Sequence, residues 1–149
     1  MTHEKGFDLL IEAFAHTAAR QEQWELVIFG EGSERRALEE LVKELGLTER
    51  VTMPGWTDDA GGVLERADMF VLPSRYEGFP NSLLEAMAAG LPVISFDCPS
   101  GPSEIVRNEY DGLLVRAGSV EWLAAAMDRL MRDGSARSLL ASKAPEVLE

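Results

Sequence analysis

Glu77 and Glu85 stand on either side of the seven residues Gly78-Phe79-Pro80-Asn81-Ser82-Leu83-Leu84. The chain turns through Gly78 and Pro80 and then shows the spacing of an amphipathic helix, with Leu83, Leu84, Met87 and Ala88 on its apolar side. A helix start presents unpaired N–H groups and a partial positive charge, an arrangement that suits a phosphate. Glu77 and Glu85 bracket that terminus. Plainer readings stand beside this one. Ser82-Leu83-Leu84-Glu85 also fits a capping box, in which the glutamate reaches back to the N-cap amide. Glu77 also reads as an ordinary solvated glutamate in a loop.

The elements that must hold these residues follow from periodicity. An apolar run, Met69-Phe70-Val71-Leu72, feeds the motif as a buried strand. Gly90 and Pro92 end the helix after it, and Val93–Phe96 begins another strand. Upstream, a helix is expected from about Gly6 to Arg20, a strand over Trp24–Phe29, a helix through Leu38 and Leu45 capped by Gly46, and a short strand around Val51–Met53. Pro54–Asp59 reads as a loop, with a short helix near Ala60–Arg66. Downstream come a short helix from Pro102 to Arg107, a strand over Leu113–Val115, a helix through Leu123 and Leu130, and a last helix from about Ala136. Strands joined by helical crossovers are parallel and covered on both faces, so the fold class is α/β, a Rossmann-like sheet with helices on both sides. Ligands bind such sheets at the carboxyl ends of the strands. Those ends are Gly30–Ser33, Pro54–Asp58, Ser74–Asn81 and Asp97–Glu104.

Composition narrows the partners. The chain has 149 residues, 46% hydrophobic and 27% charged, which is one ordinary globular domain over residues 1–149. A formal charge of -12 argues against nucleic acid or an anionic membrane as the main partner. An anion must then be bound by local amides and a few cations. The single cysteine, Cys98, rules out an intrachain disulfide and suits a reducing cytoplasm. Met1–Lys5 does not resemble a secretory signal, and no apolar run approaches the ~20 residues of a membrane span. The expected location is cytoplasmic, with peripheral membrane attachment open for a full-length parent.

The segment Glu77 to Ile94, Glu-Gly-Phe-Pro-x-x-x-Leu-Glu-Ala-Met-Ala-x-Gly-x-Pro-Val-Ile, resembles the signature of retaining GT-B glycosyltransferases of the family 4 type. Lys5-Gly6, Gly30-Glu31-Gly32, Gly55–Asp59, Pro73-Ser74 and Asp111–Val115 fall in that family's order. The resemblance implies transfer of a sugar from a nucleotide diphosphate to an acceptor such as a growing glycan or lipid-linked saccharide, with retention of anomeric configuration. UDP-hexose or UDP-N-acetylhexosamine is the favoured donor and GDP-mannose a second choice. It covers only the family's donor-binding half. The family's first strand of this domain, its acceptor domain and its C-terminal crossover helix have no counterpart, so donor binding without transfer is expected of this chain. The alternative is a non-catalytic nucleotide-sugar-binding module, or a subunit completed by a partner chain that carries the acceptor domain.

The resemblance also implies roles. Glu85 accepts hydrogen bonds from the ribose, and Glu77 faces the donor sugar, stabilising positive charge at the anomeric carbon rather than acting as a nucleophile. The amides of Gly78, Phe79, Asn81, Ser82 and Leu83 meet the diphosphate; Pro80 has none to offer. Lys5 is the phosphate-binding lysine. Arg75 adds charge to the pocket or is a surface arginine. Gly30 and Gly32 let backbone approach the nucleotide; alone, Gly-x-Gly is weak, since position 35 is Arg where a dinucleotide fingerprint has its third glycine. Met53, with Pro54 and Gly55, flanks the base or simply forms a tight turn. Glu104 reaches the sugar, although Pro102 removes an amide from its loop. No cofactor and no metal are expected, and Asp58-Asp59 reads as a helix cap. His3, His16, Trp24 and Trp122 read as surface or packing residues, and nothing marks Cys98 as a reactive thiolate. A receiver-type signalling domain lacks its aspartate cluster and late-strand lysine here. A sheet hydrolase lacks its G-x-S-x-G elbow.

Overall fold

The computed structural model describes all 149 residues. A 3-10 turn, His3–Lys5, leads through Gly6 into α1 (Phe7–Ala18). Then follow β1 (Leu26–Phe29), α2 (Arg35–Glu44), β2 (Val51–Gly55), α3 (Ala60–Arg66), β3 (Phe70–Leu72), α4 (Asn81–Ala88), β4 (Val93–Phe96), α5 (Pro102–Ile105), β5 (Leu113–Val115), α6 (Val120–Arg132) and α7 (Gly134–Lys143). A second 3-10 turn, Ala144–Leu148, closes the chain. Helix starts are marked by their caps: Asp59, Ser119 and Asp133 accept amide hydrogen bonds at the first turns of α3, α6 and α7.

All strand pairings are parallel, as the alternation of elements demands. β4 is the central strand of the β3-β4-β5 sheet and is wholly buried. Its alternating side chains serve two cores. Ile94 and Phe96 join α1, α2 and α6 in the larger one through Ile11, Phe14, Leu123 and Leu130. Val93 points into the smaller one with Leu83 and Met87 of α4 and Leu72. Helices thus cover both faces of the sheet, and the fold is Rossmann-like.

Three features depart from the sequence reading. β2 continues through Pro54 and Gly55, where a loop is expected; the Gly30 N–H donates to the Gly55 carbonyl at 2.8 Å. Proline is tolerated there because β2 is an outer strand, paired only with β1. α5 is a single turn ending at Ile105 rather than Arg107. The sheet is also not continuous: β1-β2 and β3-β4-β5 are separate, and β1 does not pair with β3.

Candidate functional site

The loops after β1, β2, β3 and β4 gather at one edge, the carboxyl ends of parallel strands. The segment before α1 is clasped between two of them. Met1 is buried, and its amino group donates to the Glu31 carbonyl. Gly32 has φ +154°, and a side chain there would collide with the Met1 backbone. Gly6, at φ +68°, lies so close to the Pro73 carbonyl that no Cβ fits. Arg75 completes the clasp. Its backbone N–H donates to the Glu4 carbonyl at 2.7 Å, and its guanidinium donates to both Asp8 carboxylate oxygens at 2.8 and 2.6 Å and to the His3 carbonyl at 2.7 Å. The guanidinium holds the Asp8 carboxyl below its ordinary range, against the opposing effect of burial. Arg75 is therefore a strut for the Lys5 segment.

That strut places Lys5 over Glu77. The Lys5 Nζ donates to Glu77 Oε1 and Oε2 at 3.2 and 3.3 Å. Ser74 Oγ donates to Glu77 Oε2 at 2.8 Å. Glu77 is only 7% exposed and Ser74 1%, so the solvated-loop reading of Glu77 does not hold. A buried carboxylate needs such partners, because an unpaired one costs several kcal/mol or more. Ser74 is a functional candidate that residue-by-residue reading did not single out. Its signal was its position, at the carboxyl end of a strand and three residues before the glutamate.

Beyond Glu77, the backbone leaves donors free. α4 starts at Asn81 with Pro80 as N-cap and no side-chain cap. Ser82 and Glu85 both lie inside the helix and are exposed, so the capping box does not form and the Glu85 carboxylate is unengaged. The Asn81 amide turns back to the Phe79 carbonyl, and the Leu83 amide to Pro80. The amides of Gly78, Phe79 and Ser82 have no acceptor in the protein. Gly101, at φ +127°, packs against the Pro80 ring and joins the loop after β4 to the start of this helix. Glu104 is exposed in α5 on the same side. Cys98 is buried nearby; burial pushes its thiol up, and the Glu77 and Asp97 carboxylates add to the effect. It stays a protonated packing residue.

The remaining expected residues are more dispersed. Gly30, at φ +112°, has open space above it. The room at Gly32 is taken by Met1. Met53 is half-buried, and its carbonyl accepts from Arg35 Nη2 at 2.5 Å. Arg35, in place of a third glycine, also binds Glu31 and Glu39 at 2.9 and 3.0 Å, tying together the ends of β1 and β2. A shallow groove of about 170 Å³ lies there between Phe29, Gly30, Thr57 and Trp56, whose indole is 81% exposed. Trp56 is a second candidate that residue types alone did not flag. Asp59 caps α3 through the Gly62 amide, and no cluster of three or more metal-ligating side chains exists. No helix is long and apolar enough to cross a membrane.

Residues 1–147 match the family described as "Glycosyl transferases group 1", and the chain belongs to that family. It is 40% identical over 144 residues to an exopolysaccharide phosphotransferase of Streptomyces coelicolor, covering 96% of this chain and 15% of that protein. It is 38% identical over 144 residues to the lipopolysaccharide core biosynthesis glycosyltransferase LpsE of Rhizobium meliloti, covering 97% of this chain and 41% of the relative. The fold superposes on TarM of S. aureus, crystallised with fondaparinux, α-GlcNAc-glycerol and UDP, with a TM-score of 0.95 and 28% identity over 99% of this chain and 30% of TarM. The chain thus spans less than half of the length of these proteins, and its fold is that of the C-terminal domain of GT-B glycosyltransferases.

Proposed function

We propose that this domain binds the donor of a retaining glycosyltransferase, a UDP-hexose or UDP-N-acetylhexosamine. The observation that carries the reading is the buried Glu77, held by Lys5 and Ser74, beside three backbone amides without acceptors. The diphosphate takes the amides of Gly78, Phe79 and Ser82 at the positive end of α4. Asn81 and Leu83 supply their amides if the local turns open. Lys5 is shared between Glu77 and the phosphates, which keeps the buried carboxylate from repelling them. Glu85, exposed one turn into α4, accepts from the ribose hydroxyls. The base lies against the groove of Gly30 and Trp56, near Met53. Glu77 and Glu104 face the sugar.

In the transfer, the bond between the anomeric carbon and the diphosphate oxygen breaks. Positive charge grows on the sugar and negative charge on the leaving phosphate. Glu77 stabilises the first; the amides, the helix end and Lys5 stabilise the second. This arrangement requires no metal. The acceptor, a glycan or lipid-linked saccharide, binds a domain supplied elsewhere in the polypeptide or by a partner, so the 149-residue chain binds donor without transferring sugar. Calorimetric titration with UDP, GDP, ADP and their sugars tests the reading. Saturable UDP binding, weakened by Glu85→Ala, is expected; preference for another nucleotide, or no binding, contradicts it.

A further inference from the structure

Two side chains hold Glu77, and they hold it differently. Lys5 Nζ lies 3.2 and 3.3 Å from Oε1 and Oε2. It straddles both oxygens, at distances longer than the roughly 2.7–2.9 Å of a tight charge-assisted bond. Its side chain is 48% exposed. Ser74 Oγ meets Oε2 alone, at 2.8 Å, and is shut away from water. The first contact is loose and accessible; the second is directed and enclosed.

The Lys5 backbone does not depend on its ammonium group. Its amide donates to the Thr2 carbonyl at 3.1 Å within the first 3-10 turn, and Arg75 ties the neighbouring Glu4 carbonyl and Asp8 from outside. The ammonium is therefore able to leave Glu77 while the segment stays in place. A diphosphate on the free amides of Gly78, Phe79 and Ser82 carries more negative charge than one carboxylate and draws the ammonium toward it. No second cation pairs with Glu77. The other titratable groups close by are Asp97 and Cys98, after β4, and neither offers a positive charge.

Once Lys5 turns away, a buried carboxylate without another donor would be left unpaired, which is costly. Ser74 prevents this. We propose that Ser74 is a positioning residue: its hydroxyl anchors Oε2 of Glu77 while the Lys5 ammonium passes to an incoming diphosphate. Oε1 is then the oxygen left without a protein partner, available to the donor. This role rests on the donor-binding reading of the same site and adds the group that makes sharing of Lys5 possible. Without the hydroxyl, Lys5 is the carboxylate's sole partner and is held back from the phosphates.

Calorimetric titration of UDP into the 149-residue chain, arranged as a double-mutant cycle, tests this role. Ser74→Ala is expected to weaken UDP binding by about tenfold, the size of one hydrogen bond to a charged group. In a Glu77→Gln background, where no carboxylate retains Lys5, the same Ser74→Ala change is expected to alter affinity by less than about twofold. A purely structural role for Ser74 would weaken both backgrounds alike. The role is overturned if Ser74→Ala binds UDP as the wild type does, or if it costs the same with glutamate and with glutamine at position 77. Should Ser74→Ala not fold, Ser74→Cys, whose thiol is a weak donor, takes its place in the same cycle. A wild-type chain that does not bind UDP overturns the donor reading and Ser74's part with it; UDP binding without coupling between positions 74 and 77 overturns the role of Ser74 alone.

Discussion

Glu77 and Glu85 are both glutamates at the same helix entrance, yet their surroundings differ. Glu77 is buried between a cation and a hydroxyl, and Glu85 is exposed and uncommitted. Glu85→Ala is expected to weaken UDP binding by about 1–3 kcal/mol, the range for hydrogen bonds to a charged group, as read by calorimetry. Glu77→Ala is expected to leave UDP affinity near wild type and to suppress sugar transfer in a full-length parent. Intact turnover would remove Glu77 from the mechanism. Lys5→Met should lower UDP affinity by roughly 1.5–3 kcal/mol, because it removes the cation shared by carboxylate and diphosphate. At this scale the sequence was informative about residue types and ambiguous about partners. The E-x7-E spacing marked both acids, but Ser82-x-x-Glu85 looked equally like a cap. The helix start at Asn81, set by Pro80, removes the cap reading.

The elements that carry these residues are held by a few long-range contacts that no local pattern announces. The bidentate Arg75–Asp8 pair links the loop after β3 to the first turn of α1 across 67 residues of sequence. Asp8→Asn should cost about 1 kcal/mol of stability at neutral pH, the upper end for a solvent-screened pair. Because the Asp8 carboxyl is depressed in the folded state, its contribution is fully present above the ordinary carboxylate range and is lost as pH falls through the depressed value. The Tm difference between the wild type and the variant should therefore shrink in acid; a constant difference would mean that the charge pair is not its source. Gly101→Ala should destabilise by about 1–3 kcal/mol, since it forces a side chain at φ +127° to within 2.7 Å of the Pro80 ring, and should also reduce UDP affinity by shifting the start of α4. The helices and strands themselves were legible wherever apolar periodicity was strong. Pro54 misled because proline reads as a breaker, and an outer strand accepts it. The short 3-10 turns carry too few residues for any period to show.

At the scale of the whole molecule, alternation of strands and helices specified a parallel, doubly covered sheet, and the family match agrees. Alternation cannot reveal how strands are ordered, because crossover length is compatible with several neighbours. The division into two sheets emerges only in three dimensions. The overall charge of -12 sharpens the question of how a nucleotide anion is received at all. The answer offered is local: three free amides, one helix end and Lys5 outweigh a distant, screened repulsion.

The most direct test is a UDP titration followed by backbone amide NMR. The account predicts that the resonances of Gly78, Phe79 and Ser82 shift together and saturate with the calorimetric affinity, with Lys5 and Glu77 responding alongside. Saturable binding that leaves those three amides unmoved, with shifts confined to other loops, would contradict it.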